Sequence, residues 1–289
     1  MQWKLLKTYR QFSVPLLGVH LLTFFNNAFD QLFIAAALNP TAVGAYGMSR
    51  RLTRQPAQML SLSIRRVLFP ILRQKIDAND NSRNMLKALR TSVQASVMIG
   101  TVPLFYLATT ADDIIPLLLG PDWSSAVPLI SVLAIGSSLM PLSAVVLAGF
   151  RAKGRTDALF KFSLARAIIT VIIMISVISV TTETIYVAIA ISVMGLIFPV
   201  LSAVMLTYTL KLPTNSLVWD IIKCSIPASC AAIGAYVFAQ HFSLGIAGLL
   251  TLKTGVGFVI WLLLSLVFTR KEFLKLTNIL LRKTNQNVV

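Results

Sequence analysis

The chain has 289 residues, of which 56% are hydrophobic and only 12% are charged, and its mean hydropathy is +0.78. Soluble domains carry about 25% charged residues, so this composition excludes a water-soluble domain and a disordered chain. Lys and Arg (26) outnumber Asp and Glu (10), which gives a net charge of +16. In a membrane protein this excess indicates cytoplasmic loops and an anionic ligand or lipid surface, and we expect no nucleic acid as a partner.

Eight mostly apolar runs, each long enough to cross a bilayer, predict eight transmembrane helices. The runs are 12–38, 42–69, 86–109, 124–150, 158–180, 185–210, 224–241 and 244–269. The connectors between them are too short for a folded extramembrane domain. The first residues lack the short apolar core and cleavage site of a signal peptide, so the first run is expected to be a retained span.

The charges on the connectors predict the orientation of these helices. Basic residues occupy the first segment, every second connector and the last 20 residues. The alternate connectors carry Asp112, Asp113, Asp122 and Glu183, and they contain no Lys or Arg. This positive-inside pattern predicts that both termini are cytoplasmic.

The second run differs from the others because it carries many polar residues. On a helical projection these residues fall within an arc of about 160°: Arg50, Arg51, Arg54, Gln55, Gln58, Ser61, Arg65 and Arg66. An Arg that faces lipid at the membrane centre costs about 2.5–3.5 kcal/mol. We therefore expect this face to line a wet cavity that binds an anion through guanidinium groups. The alternative is an amphipathic helix held by ion pairs to other spans.

Asp30 is the only acid clearly inside a predicted span, and Asn26, Asn27 and Gln31 cluster with it. An ionised carboxylate at that depth must pair or take up a proton. One interpretation is a salt bridge to Arg51 or Arg54 that breaks during a transport cycle, or a proton-linked switch. The other is a permanent polar contact between helices.

Other polar and proline positions give weaker signals. Arg166 in the fifth run is expected to join the cavity, and Lys253 in the eighth is expected to snorkel or to hold helices together. Four prolines inside the runs favour kinks: Pro56, Pro103, Pro141 and Pro199. The two His and two Cys residues are isolated from catalytic or metal-binding partners in the sequence, so we expect no enzyme, no metal and no cofactor.

Three stretches resemble a known family. NPTAVGAYGMSRRLTRQPAQMLSLSIRRVLFPIL is similar to the segment of polysaccharide exporters with Gly-x-Tyr, Arg-Leu, Pro-x-Gln and Arg-Val-Leu-Phe-Pro. IIPLLLGPDWSSAVPLISVLAIGSSLMPLSAVVLAGFRAKGRTD and FDQLFIAAALNP resemble two further segments of the same family. The family is that of lipid-linked oligosaccharide flippases and exporters in the multidrug/oligosaccharidyl-lipid/polysaccharide superfamily, close to colanic acid and succinoglycan exporters. The resemblance covers residues from about 12 to 160.

The resemblance implies an all-α, polytopic membrane helix bundle of eight helices, like the second six-helix lobe of a flippase plus two terminal helices. The corresponding units are a lobe over 1–210, a terminal pair over 211–269 and a basic cytoplasmic tail over 270–289. Members carry undecaprenyl-pyrophosphate-linked sugars by alternating access through a cationic cavity, in exopolysaccharide or lipopolysaccharide biosynthesis at the bacterial inner membrane.

By their positions in the matching motifs, the resemblance implies functional roles for Asp30, Arg51 and Pro56. The helical arc adds the neighbouring polar residues as candidates. The expected substrate-binding set is Arg50, Arg51, Arg54, Gln55, Gln58 and Arg166. The expected coupling or gating set is Asp30, Asn27 and Pro56.

The expected partners are a lipid-linked oligosaccharide, polysaccharide assembly proteins, and either a missing N-terminal half or a second copy, because alternating access needs two bundles. Three alternatives remain. A truncated, non-transporting membrane protein is compatible with the sequence. A multidrug or cation antiporter should have an acidic cavity, and a membrane polymerase or ligase should have a long periplasmic loop.

Overall fold

The computed structural model describes residues 2–37, 40–77, 82–181, 183–210, 215–242 and 245–268, and every regular element within these ranges is helical. The helices are α1 (Gln2–Ala37), α2 (Pro40–Asp77), α3 (Ser82–Leu119), α4 (Val127–Ser137), α5 (Met140–Ala152), α6 (Thr156–Val180), α7 (Thr184–Leu210), α8 (Asn215–Ala239) and α9 (Ile246–Phe268). A short 3-10 helix (Pro121–Ala126) precedes α4. Because α4 and α5 together form one crossing, the predicted bundle of eight spans is confirmed.

Six segments of the described ranges have both the length and the apolar composition of a membrane span. They are Leu86–Leu119, Pro121–Ala152, Thr156–Val180, Thr184–Leu210, Leu217–Ala239 and Gly248–Val267. The other two crossings are α1 and α2, with 36 and 38 residues. At about 1.5 Å per residue each is longer than the roughly 30 Å hydrocarbon layer.

The fourth crossing is interrupted near its middle. Helix α4 ends at Ser137 and α5 begins at Met140, with Pro141 in the first turn of α5. Proline has no backbone N–H and fits the first turn of a helix, so the break falls where the sequence favours one. Pro103 and Pro199, in contrast, lie inside the uninterrupted helices α3 and α7.

Several helices extend well beyond the predicted spans, and in α3 and α8 the extension carries acidic residues. Helix α3 runs to Leu119 instead of residue 109, so Asp112 and Asp113 belong to a helix and not to a connector. Helix α8 begins at Asn215 instead of residue 224 and therefore includes Asp220. In both helices the carboxylates pair with cations on neighbouring helices, which hydropathy alone does not register.

These ion pairs hold the last two helices against α3. Arg90 on α3 forms a bidentate pair with Asp220 on α8, with Nε–Oδ2 and Nη2–Oδ1 distances of 2.6 and 2.8 Å. Near the other end of α3, Lys253 on α9 contacts Asp113 and lies 3.5 Å from Asp112. Lys253 therefore joins α9 to α3, which is one of the two roles expected for it. The predicted unit boundary at residue 210 stays a prediction, and the tail 270–289 lies outside the described residues.

The bundle is closely packed where small residues allow helices to touch. A Cβ at Gly136 on α4 would lie 2.3 Å from the Cα of Ser192 on α7, and one at Gly195 would lie 2.3 Å from the carbonyl oxygen of Gly136. Beside this crossing, α1, α2, α4, α5, α6 and α7 leave a space that Gly136, Ser192 and Gly195 help to line, and the candidate site lies there.

Candidate functional site

Two spaces adjoin the polar face of α2. The first, here called the inner chamber, is a cavity of about 500 Å³ enclosed by α1, α2, α4, α5, α6 and α7. The second, here called the α2 recess, measures about 620 Å³ and also contacts Gln31 of α1 and Trp123. Five of the eight polar residues predicted on α2 line the α2 recess: Arg50, Arg51, Arg54, Gln55 and Gln58. Ser61 lines the inner chamber instead, and the side chains of Arg65 and Arg66 lie outside the described residues.

Three of these side chains line both spaces. Arg50, Arg54 and Gln58 contribute to the inner chamber as well as to the α2 recess. Their spacing of four residues stacks them along one side of the helix, one turn apart. This row is the wall that the two spaces share. Arg51 and Gln55, in contrast, line the α2 recess and are exposed.

Arg54 lies deep in the membrane-crossing part of the bundle. It stands 14 residues after Pro40, the first residue of α2, which corresponds to about 21 Å along the helix. In a hydrocarbon layer of about 30 Å, a helix that enters at Pro40 carries Arg54 past the midplane. A wet cavity beside it removes most of the cost of burying the charge.

Arg166 on α6 also lines the inner chamber. Its guanidinium lies over the ring of Phe198 on α7, 5.2 Å from the ring centroid. The Phe198 ring in turn makes an edge contact with Phe162, at 6.3 Å between centroids. The sequence predicted that Arg166 joins the cavity, and the structure places it there. This cation–π contact holds the guanidinium against one wall.

Asp30 is buried at the contact between α1 and α2. Its Oδ1 lies 3.0 Å from Nη2 of Arg50, and its Oδ2 accepts a 2.9 Å hydrogen bond from the hydroxyl of Tyr46. The sequence predicted a pair with Arg51 or Arg54, or else a permanent polar contact between helices. The ion pair that the structure describes is with Arg50 on the neighbouring helix, and Arg54 lies within electrostatic range of the same carboxylate. Arg50 lies one turn after Tyr46 and shares its face, whereas Arg51 is rotated by about 100° toward the α2 recess.

The remaining predicted coupling residues lie elsewhere. Pro56 is exposed on α2 and lines neither space. The side chain of Asn27 lies outside the described residues. Tyr46, which the sequence reasoning missed, is fully buried and completes the contacts of Asp30. Its position four residues before Arg50 is the signal that points to it.

The charges around the inner chamber are unbalanced. Arg50, Arg54 and Arg166 line it, and none of its described lining residues is acidic. The nearby carboxylate of Asp30 offsets one of these three charges, so the balance is two positive charges. Arg54 is within electrostatic range of both Arg50 and Arg166. Such a site attracts an anion, and guanidinium groups suit phosphate oxygens.

Within the described ranges, no group of three or more His, Cys, Asp or Glu side chains is placed to hold a metal ion. His20 instead lies 3.1 Å from Arg151, and Asp112 and Asp113 face Lys253.

The described helices form a multi-pass membrane bundle with a flippase-like fold. Lipid II flippase MurJ in an inward closed conformation superposes with a TM-score of 0.69 at 15% identity, over 88% of this chain and 52% of that one. At this identity the likeness shows the fold. Residues 1–128 match the family described as polysaccharide biosynthesis protein.

Three curated relatives agree with this family. The succinoglycan biosynthesis transport protein ExoT of Rhizobium meliloti (strain 1021) is 25% identical over 55% of this chain and 32% of its own length. The lipopolysaccharide biosynthesis protein WzxC of Escherichia coli (strain K12) is 27% identical over 53% and 30%. The teichuronic acid biosynthesis protein TuaB of Bacillus subtilis (strain 168) is 24% identical over 90% and 53%.

The resemblance to polysaccharide exporters is therefore confirmed, and the protein is a multi-pass membrane protein. The relatives whose names state an activity are a transport protein and a flippase, not enzymes. The chain spans about a third to a half of the length of the proteins it matches.

Proposed function

We propose that this chain forms one lobe of a flippase that carries undecaprenyl-pyrophosphate-linked oligosaccharide across the bacterial inner membrane, for exopolysaccharide or O-antigen biosynthesis. The observation that carries the proposal is the acid-poor row of arginines at membrane depth, beside two open spaces. A diphosphate offers oxygens to two or more guanidinium groups at once, which a neutral or cationic solute does not.

In this proposal the row of Arg50, Arg54 and Gln58 gives the diphosphate a continuous path between the α2 recess and the inner chamber. Arg51 and Gln55 bind the cargo on the recess side, and Arg166 binds it on the chamber side. The positive charges of these arginines compensate the charge of the diphosphate, which would otherwise be buried in the membrane without counter-charges. The lipid tail stays in the bilayer.

Asp30 and Arg50 supply the coupling element. A diphosphate that reaches Arg50 competes with the carboxylate of Asp30 for the same guanidinium. Cargo binding therefore weakens the contact between α1 and α2, and cargo release restores it. Pro56 and Asn27 remain assigned to gating, since Pro56 interrupts the hydrogen bonds of α2 two residues beyond Arg54.

A second lobe completes the transporter. Alternating access requires two bundles that rock about one site. The exposed side chains of Arg51 and Gln55 face the α2 recess, so we place the second lobe across that recess. A missing N-terminal half or a second copy would fill this place, with both termini of this chain cytoplasmic and polysaccharide assembly proteins nearby.

The test is the double substitution Arg51→Ala plus Arg54→Ala in cells whose polymer export depends on this chain and its second lobe. We expect export to be lost while membrane insertion stays intact, because the cargo loses two phosphate contacts. Arg155→Ala is the matched control, since Arg155 is exposed between α5 and α6 and lines neither space. Normal export by the double variant would contradict the proposal.

The same experiment addresses the alternatives. A deletion strain is measured first, because normal export without this chain would indicate a non-transporting protein. An antiporter of cationic drugs would need acidic groups, and the described residues that line the two spaces include none.

A further inference from the structure

Eight hydroxyl side chains line the inner chamber, and they fall into two groups. Five donate to backbone carbonyl oxygens at 2.6–2.9 Å: Thr23, Thr53, Ser61, Ser192 and Ser202. The other three are Ser137, Ser143 and Ser163. Among the described residues, no protein group is hydrogen-bonded to the hydroxyls of these three serines.

The three serines lie on three different helical segments around one space. Ser137 is the last residue of α4, Ser143 is in the first turns of α5, and Ser163 is on α6. Ser163 precedes Arg166 by three residues, so both side chains project from the same face of α6. The chamber thus brings hydroxyls and guanidinium groups to one place, and the ring of Phe162 lies beside them.

In a wet chamber water meets these hydroxyls, so a ligand that displaces the water must replace its hydrogen bonds. A sugar offers several hydroxyls that both donate and accept, and its apolar faces suit the Phe and Leu side chains that share the lining. A volume of about 500 Å³ is within the usual range of about 300–1,000 Å³ for small-ligand sites. It is large enough to hold a sugar phosphate.

We propose that the inner chamber is a sugar-phosphate site, in which Arg54 and Arg166 bind the phosphate and Ser137, Ser143 and Ser163 bind the sugar attached to it. This inference rests on the proposed function, because it takes the phosphate-linked sugar of the cargo as the occupant. The serines are then specificity-determining residues. They distinguish a sugar phosphate from a free phosphate, which the arginines alone do not.

The test uses the purified full chain in detergent micelles and four probes: inorganic phosphate and the 1-phosphates of glucose, galactose and N-acetylglucosamine. Dissociation constants come from the rise in unfolding temperature with probe concentration. We expect at least one sugar phosphate to bind on the order of tenfold more tightly than phosphate, which corresponds to one or two net hydrogen bonds.

The variant Ser137→Ala/Ser143→Ala/Ser163→Ala should bring this ratio close to one while phosphate binding stays unchanged. Arg166→Gln should weaken all four probes. The matched control is Ser61→Ala/Ser202→Ala, because both hydroxyls face the chamber but bond to their own helices, and its ratio should remain that of the wild type. Should the triple variant not fold, Ser163→Ala alone should lower the ratio by a few fold.

Two results would overturn the inference. One is a wild-type protein that binds none of the three sugar phosphates more tightly than phosphate, which would leave a simple anion site. The other is a serine variant that keeps the wild-type ratio. Either result can occur while Arg51→Ala plus Arg54→Ala still abolishes export, so failure here is distinct from failure of the proposed function. Normal export by that double variant would overturn the proposed function even if the probes bind as expected.

Discussion

Removing the carboxylate of Asp30 should destabilise the lobe more than removing both charges of its ion pair. The side chains of Asp30 and Arg50 are only 5% and 13% exposed, and they lie 3.0 Å apart. Loss of one partner from a buried pair costs about 3–5 kcal/mol, because the other charge stays buried without compensation. Replacing both partners by neutral groups costs much less.

The perturbation is a double-mutant cycle with Asp30→Asn, Arg50→Gln and the combined variant. Asn keeps a hydrogen-bond acceptor for Tyr46, so the cycle isolates the charge. We expect Asp30→Asn to lower the free energy of unfolding by about 3 kcal/mol. The double variant should recover about 2 kcal/mol of this loss as coupling energy. Far-ultraviolet circular dichroism in mixed micelles, titrated with a denaturing detergent, measures these differences.

The chain contains a matched exposed pair for comparison. Arg155 and Asp157 lie 3.3 Å apart, but their side chains are 56% and 55% exposed. Water screens this pair, so Asp157→Asn should change stability by less than about 1 kcal/mol. If Asp30→Asn behaves like Asp157→Asn, or if the effects of Asp30→Asn and Arg50→Gln simply add, the buried-pair reasoning is refuted.

Two further predictions concern the terminal helices and the orientation. Lys253→Met should destabilise the protein by about 3 kcal/mol in the same unfolding assay, because it leaves the buried Asp113 without its cation; an unchanged midpoint would show that this pair does not hold α9 to α3. Single cysteines at Ser124 and Arg155, in a background without the native cysteines, should be labelled from opposite sides of the membrane, and labelling from one side would contradict the predicted topology.

The helical arc on α2 could be predicted because it depends on local geometry alone. Residues 50, 54 and 58 share a face in any α-helix, and their charges restrict where that face can point. Arg166 was expected at the cavity because of its depth in the fifth run, and it lines the inner chamber. The partner of Asp30 could not be predicted in this way. Three arginines within five residues are equal candidates until the rotation of α2 against α1 is known, and that rotation is set by tertiary packing.

The ends of α3 and α8 were misplaced for a related reason. Hydropathy counts Asp113 and Asp220 as polar, so it ends one apolar run before Asp113 and begins the other after Asp220. In the folded bundle each carboxylate meets a cation from another helix, Lys253 or Arg90. A charge that is neutralised across helices behaves in packing as part of the buried surface. The pairing joins residues about 130–140 positions apart, and no local pattern records it.

The polar residues of α2 fall into two groups, those that line both spaces and those that line only the α2 recess, and the two groups should act at different stages of cargo binding. Arg50 and Arg54 line both spaces, whereas Arg51 lines the α2 recess and Arg166 the inner chamber. A cargo that passes between the spaces meets Arg51 and Arg166 at different stages, but it meets the shared row throughout. Loss of Arg51 or Arg166 should then weaken one stage of binding. Loss of Arg54 should weaken both stages, because the wall between the two spaces is a single row of side chains on one helix.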